Sequence, residues 1–201
     1  MTIPFKISEL LGSVFEKTHE DDADMLSLSD IMLLLHDRGF GILIVLFSMP
    51  NFVPAFIPLI ATVFALPQMI FCVQMMLKYD APKLPDFIAR KQIKRTSLQA
   101  GILKSLPMIK KMEKIVRPRL EFMLTPSSER IVAGFMLLFA FVIAIPAPLT
   151  NFVPSVALFI MGIGILARDG LAIIVGIIIG LGWTYALIFF SAKIIAWLAG
   201  L

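Results

Sequence analysis

The tetrapeptide NFVP stands twice in the chain, in SMPNFVPAF at 48–56 and in APLTNFVPSV at 147–156, with Asn51 and Asn151 exactly one hundred positions apart. Each copy lies inside a long apolar stretch. Proline removes a backbone donor and clashes with the preceding turn, and it biases the residue before it away from helix. The first copy is surrounded by Pro50, Pro54, Pro58 and Pro67, the second by Pro146, Pro148 and Pro154. Clusters this dense predict unwound backbone around Asn51–Pro54 and around Pro146–Pro154. Unwound backbone at membrane depth must be buried in protein or line a water-filled cavity, and an Asn amide can bond some of its freed groups. Paired interruptions in corresponding positions of two halves point to a transporter-type site. Asn51, Pro54, Asn151 and Pro154 are therefore candidate substrate-binding residues.

Segment lengths fit interruption. Residues 39–49 give about 16 Å of helix, roughly half a bilayer, whereas 55–77 is long enough to cross. Residues 131–145 and 155–167 each fall short of the usual ~20. Re-entrant hairpins meeting near mid-membrane fit these lengths. The alternative is a pair of ordinary tight turns at a surface, which the apolar flank NFVPAFIPLI (51–60) disfavours. Whether the two repeats are parallel or inverted stays open, but Asn51 and Asn151 are expected in the same half-unwound region of the membrane, related by a pseudo-two-fold axis.

Composition sets the class. The chain is 59% hydrophobic, against about 45–50% for soluble domains, and its mean hydropathy is +0.92. Residues 39–77, 131–167 and 171–192 contain no Asp, Glu, Lys or Arg. Such runs are the mark of bilayer-spanning helices; a β-barrel would show short alternating strands instead. The single cysteine, Cys72, lies in an apolar run, so it says nothing of redox compartment and offers neither a CxxC motif nor a disulfide framework. The N-terminal MTIPFKISELLGSVF lacks a signal peptide's basic region and apolar core, so insertion through internal helices is expected.

Charge is divided into blocks. Residues 1–38 hold three basic and eight acidic residues, 78–130 hold thirteen basic and five acidic, and 131–201 hold only Arg168, Asp169 and Lys193. The basic centre is expected on the cytoplasmic side. PFKISELLGSVF (4–15) and SLSDIMLLLHDRG (27–39) read as amphipathic helices, the second capped at a Ser or Asp and ending at Gly39. In MIKKMEKIVRPRLEFML (108–124), Met108, Ile109, Met112, Ile115 and Val116 form a stripe with lysines between. A basic amphipathic helix of this kind attracts anionic head groups at a bilayer surface; the plainer reading is that its lysines only orient the protein. The expected fold is an all-α integral membrane protein with two pseudo-symmetric, Pro-interrupted repeats plus amphipathic interfacial helices. It forms a single domain over 1–201: N-terminal amphipathic helices (1–38), a first hairpin (39–77), a basic cytoplasmic or interfacial segment (78–130), a second hairpin (131–167) and a C-terminal membrane helix (168–201).

VRPRL at 116–120, IPAPLTNFVPSVAL at 145–158 and GIGILARDGL at 162–171 together resemble the ExoD family over roughly residues 25–195. Its most specific features here are Arg117-Pro118-Arg119, Arg168-Asp169-Gly170 and the duplicated Pro-Asn-Pro region. The resemblance implies a bacterial inner-membrane protein linked to envelope or exopolysaccharide synthesis. It supplies no activity, catalytic residue or substrate.

Chemistry must come from the residues. Lys110 and Arg117-Pro118 match the opening K-x6-R-P of the lipid-phosphatase signature. That enzyme also needs two histidines, whereas His19 and His36 both lie upstream and outside such motifs. No metal-ligand spacing, Ser-His-Asp set or P-loop is present, so no catalytic residue, metal or cofactor is expected and the protein is read as a non-enzyme. Arg117 and Arg119 can grip a phosphate through forked hydrogen bonds, or serve as interfacial anchors. Arg168 and Asp169 form a charged pair between apolar runs, a functional hypothesis by default in a membrane, or else a helix boundary and topology marker. A carboxylate beside an arginine stays ionised, so Asp169 is a poor proton carrier unless Arg168 points elsewhere. Gly162, Gly164, Gly170, Gly176, Gly180 and Gly182 suit close helix packing and would support a homodimer.

Two functions fit. One is a transporter or flippase for an anionic lipid-linked substrate such as a polyprenyl phosphate; the other is a non-catalytic scaffold of the polysaccharide machinery. The expected partners are membrane lipids with anionic head groups, not nucleic acid.

Overall fold

The computed structural model describes residues 25–52, 58–94, 100, 116–145 and 151–198. Pro54, Pro146, Pro148, the helix expected in 4–15 and the Lys-rich part of 101–115 lie outside the described residues.

The expected helical class is observed. The departure is a short antiparallel ribbon of β1 (Met25–Ser27) and β2 (Gln92–Lys94), with Leu26 opposite Ile93. It ties the start of α1 (Leu28–Leu35) to the polar segment that carries α4 (Asp86–Ala89). Ser27 caps α1 by accepting from the Asp30 N–H at 3.2 Å. The helix does not run to Gly39 as expected. His36 turns the chain at φ 49°, and Asp37 accepts from the Arg38 N–H at 3.0 Å to start a new helix. Gly39 lies inside that helix.

Two helical hairpins follow. The first is α2 (Arg38–Ser48), a 3-10 turn (Met49–Phe52) and α3 (Pro58–Met76). The second is α5 (Pro126–Ala144) and α6 (Phe152–Ala167). α7 (Gly170–Leu198) closes the bundle. α5 begins ahead of the charge-free run because Pro126 suits a first helical turn and Thr125 caps it, accepting from the Ser128 N–H. Helix does stop at the prolines: regular α-helix ends at Ser48 and at Ala144. Pro154 does not break a helix; it sits in the first turn of α6, where its missing N–H costs nothing. Pro67 lies within α3.

The hairpins pack crosswise, α2 on α6 and α3 on α5, and α7 covers α6. Both pairs are antiparallel. Thr62 at the start of α3 donates to the Ala144 carbonyl at the end of α5, 3.0 Å. Gly41 near the start of α2 meets Gly162 near the end of α6, where a Cβ on Gly41 would stand 2.7 Å from the Gly162 carbonyl oxygen. Both hairpins therefore open towards one end and turn at the other. At the turns, the Phe52 ring lies 6.3 Å from Phe152 and 5.1 Å from Phe159, so the two NFVP copies meet. Between them run Ile44, Met136, Phe139, Ile143, Leu158, Met161 and Ile173, all fully buried.

Two helices are long and apolar enough to cross a membrane, Ser127–Ala144 in α5 and Gly170–Lys193 in α7; three shorter apolar helices accompany them. The outer surface is apolar too. Leu46, Val63, Ile131, Phe141, Ile178 and Ile188 are each more than half exposed.

The Gly41–Gly162 contact fixes how closely α2 and α6 approach. Gly41→Ala and Gly162→Ala are each expected to cost about 1–3 kcal/mol by overpacking, read as a lower unfolding midpoint in detergent. Gly182→Ala, where a Cβ meets nothing within 4 Å, is expected to lose nothing.

Candidate functional site

The sequence-predicted arginines and Asp169 come together at the open end. Asp169 is the N-cap of α7: its Oδ1 accepts from the Leu171 N–H at 3.0 Å and the Ala172 N–H at 3.3 Å. The chain at 117–120 crosses over it. Arg117 donates its backbone N–H to Oδ2 at 3.1 Å, and Arg119 places Nε at 2.9 and 3.0 Å from the two carboxylate oxygens. The backbones join as well, Arg119 N–H to the Arg168 carbonyl at 3.4 Å and Gly170 N–H to the Arg119 carbonyl at 2.8 Å. Gly170 must be glycine for this, since a Cβ there would collide with the Leu120 carbonyl oxygen.

Asp169 has no solvent exposure, while the Arg119 side chain is 47% exposed. Burial alone would raise the Asp169 carboxyl, but the hydrogen bonds from Arg119 and from the Arg117 and Ala172 N–H groups outweigh it and hold the group below its usual range. The same contact raises Arg119. Asp169 therefore stays ionised through Arg119, not through its neighbour in sequence. Arg168 points elsewhere, in the left-handed region at φ 55°, with Nη1 3.4 Å from Asp37 Oδ2 at the start of α2.

This arrangement divides the candidates. Arg119 Nε is committed to a structural carboxylate. The backbone N–H of Arg117 is held by the same carboxylate while the residue itself is exposed. Arg168 and Asp169 mark the α6–α7 boundary. The expected pairing of Arg117 and Arg119 as two equal prongs is not what the geometry provides.

Beside this knot, the mouths of both hairpins enclose a cavity of about 670 Å³. Its polar lining is His36, Asp37, Lys78, Tyr79, Asp80 and Glu129, over an apolar floor that includes Phe40, Met75 and Val132. Arg38, fully buried, and Arg168 interact electrostatically with Asp37 and with each other. The lining itself thus carries three carboxylates, Asp37, Asp80 and Glu129, against one lysine, Lys78, and Arg168 pairs with Asp37. This cavity is not legible in the sequence, because its residues come from four separated stretches, and their shared signal is that each flanks a charge-free run.

At the opposite end, Asn51 is buried with neither amide atom bonded among the described residues. Asn151 is half-buried, and its carbonyl accepts from the Ser155 N–H at 3.1 Å. Pro154 is buried in the first turn of α6. Three further polar residues were missed: Ser48, Gln68 and Ser155, all fully buried. Among the described residues no group of three or more His, Cys, Asp and Glu is placed to hold a metal.

The fold and site define a helical protein of two opposed hairpins and a covering helix, two of whose helices can cross a membrane. The chain belongs to the ExoD family, "Exopolysaccharide synthesis, ExoD", whose model matches residues 7–189. It is 28% identical over 152 residues to Protein ExoD of Rhizobium meliloti, covering 74% of this chain and 63% of that protein. It is also 29% identical over 167 residues to an uncharacterized protein of Synechocystis, covering 83% of this chain and 78% of the relative. No solved structure matches.

The Asp169 knot carries a pH signature. Its stabilisation is complete above the ordinary carboxylate pKa of about 4 and is lost as pH falls through the lower folded value. Asp169→Asn is expected to cost about 2 kcal/mol at neutral pH. The gap in unfolding midpoint between wild type and variant should hold constant from pH 7 to about 5 and shrink below about 4.

Proposed function

We propose that the protein is a multi-pass inner-membrane carrier in exopolysaccharide synthesis, moving the anionic head group of a lipid-linked substrate such as a polyprenyl phosphate. One observation carries this reading: the cavity of about 670 Å³ enclosed between the mouths of two hairpins whose turns meet at the far end. A chamber open at one face and closed by broken helices at the other suits alternating access. The apolar outer surface supports insertion of all five long helices, not the two longest alone.

The relation between the hairpins is proposed as a pseudo-two-fold along their common direction. Such an axis exchanges α2 with α5 and α3 with α6, and so turns the α2–α6 contact into the α5–α3 contact, as both contacts require. Hairpins that open towards the same end fit a parallel repeat, not an inverted one.

Charge assigns the steps. The cavity lining carries Asp37, Asp80 and Glu129 against Lys78, so the chamber itself does not favour an anion. Selection for an anion falls to the basic 78–130 surface and to the exposed Arg117. Orientation follows from the same block, placed in the cytoplasm. No catalytic step is proposed.

The scaffold reading is favoured by one fact, the structural commitment of Arg119 to Asp169. Lipid movement in vesicles reconstituted with the purified protein separates the two. Carrier function predicts head-group transfer that Arg117→Lys reduces about tenfold or more, because lysine keeps the charge and loses the planar fork. Lys91→Gln is expected to have little effect, since its charge is exposed and screened. No transfer above protein-free vesicles overturns the carrier and leaves the scaffold. In intact cells, single cysteines at Lys83 and Lys91 in a Cys72→Ser background should resist an impermeant thiol reagent added outside; ready labelling of both reverses the orientation.

A further inference from the structure

The charge-free hairpins hide a compact set of polar side chains. Ser48 closes α2, and its Oγ accepts from Gln68 Nε2 of α3 at 3.3 Å while donating to the Ile44 carbonyl at 2.7 Å. Gln68 Oε1, Ser155 Oγ and both amide atoms of Asn51 have no hydrogen-bond partner among the described residues. Gln68 and Ser155 are fully buried and Asn51 is 7% exposed.

Packing brings them to one place. Gly41 touches Gly162; seven residues, two helical turns, lead from Gly41 to Ser48 and back from Gly162 to Ser155. In an antiparallel pair those steps run in the same direction, so Ser48 and Ser155 share the α2–α6 seam. The 3-10 turn bearing Asn51 is pinned to α6 through Phe52 against Phe159.

Unpaired buried polar groups are costly, and three of the four unpaired side-chain atoms here are oxygens. Oxygens of Asn51, Gln68 and Ser155 join Ser48 Oγ around the C-terminal, negative end of α2. The opposing N-terminus of α6 lacks one of its first-turn donors, because Pro154 has no N–H. No carboxylate lies in 39–77 or 131–167, whereas divalent Ca²⁺ and Mg²⁺ sites rely on carboxylates.

We infer that Ser48, Asn51, Gln68 and Ser155 bind a dehydrated alkali-metal cation at the closed end of the hairpins, held by neutral oxygens. The inference extends the carrier reading by naming a coupling ion for it. Its closest competitor is a bridging water.

The test uses purified full-length protein in nanodiscs, free of lipid-linked substrate, with choline chloride replaced by LiCl, NaCl or KCl at constant ionic strength. At least one alkali cation should raise the unfolding midpoint saturably by about 3–5 °C over choline. Ser155→Ala and Gln68→Leu should each weaken that titration at least about tenfold, and Asn51→Asp, by adding a charge, should strengthen it. Equal midpoints in all four salts mean a water and overturn the proposal, as do variants that titrate like wild type. If a variant fails to fold, radioactive ²²Na⁺ and ⁸⁶Rb⁺ binding to the wild type decides: binding displaced by excess unlabelled ion supports the site, and none displaced for either overturns it. Because no lipid-linked substrate is present, cation binding and head-group transfer succeed or fail separately.

Discussion

A carboxylate with no solvent exposure holds the open end of the bundle together. Asp169 receives the cap hydrogen bonds of α7, the backbone of Arg117 and the guanidinium of Arg119. An ionised group can be buried only with such partners, so the segment at 117–120 has to lie where it does. Two residues beside the knot, Leu120 and Arg168, occupy the left-handed region at φ 53° and 55°. Each costs roughly 1–2 kcal/mol in that conformation. At Arg168 the position is the one after a helix where glycine is usual. The knot outweighs both, and with the chain turned this way Arg168 reaches back to Asp37 and α7 lies along α6.

The opposite end obeys a different constraint. Its prolines stop α2 and α5 inside apolar surroundings, where a charge would be prohibitively costly and no Asp, Glu, Lys or Arg is present. Polar work there falls to Ser, Asn, Gln and backbone carbonyls. Such groups can be buried deeply because the helices approach through glycine. The Gly41–Gly162 contact lets the backbones of α2 and α6 come close enough to bring Ser48 and Ser155 to one seam.

Much of this frame was legible in the sequence. Charge-free runs at 39–77 and 131–167 mark the two hairpins to within a few residues, since charged residues fall where the chain leaves the bundle. The duplicated NFVP marked both turns because proline acts on local backbone geometry. What was not legible is whatever depends on contacts between distant segments. LLLHDRG reads as one helical pattern to Gly39, and nothing local reveals that His36 breaks it and Arg38 is buried. Arg168-Asp169 reads as a pair because the residues are neighbours, yet each bonds a partner far away in the chain, Asp37 and Arg119. Ser48, Gln68 and Ser155 look like incidental polar residues until a helix register aligns them. Pro154 was read as a helix breaker, but a proline's effect depends on its position in the turn, which the tetrapeptide alone does not give.

The two ends therefore differ in chemistry. At the open end full charges are compensated in pairs, whether buried like Asp169 or exposed like its partner Arg119. Neutral oxygens sit where a full charge would not be tolerated, and they suit a guest that arrives with its own charge and leaves its water behind. Between the two lies a core of Phe139, Met136, Leu158 and Met161 with no polar path among its fully buried side chains. Anything passing from one end to the other must move the helices that carry those residues. The crosswise packing allows that: α2 with α6 and α3 with α5 form two antiparallel pairs, each spanning both hairpins. A slide within a pair would shift a turn at one end and a cavity wall at the other by the same amount, so the two ends are mechanically linked through the helices themselves.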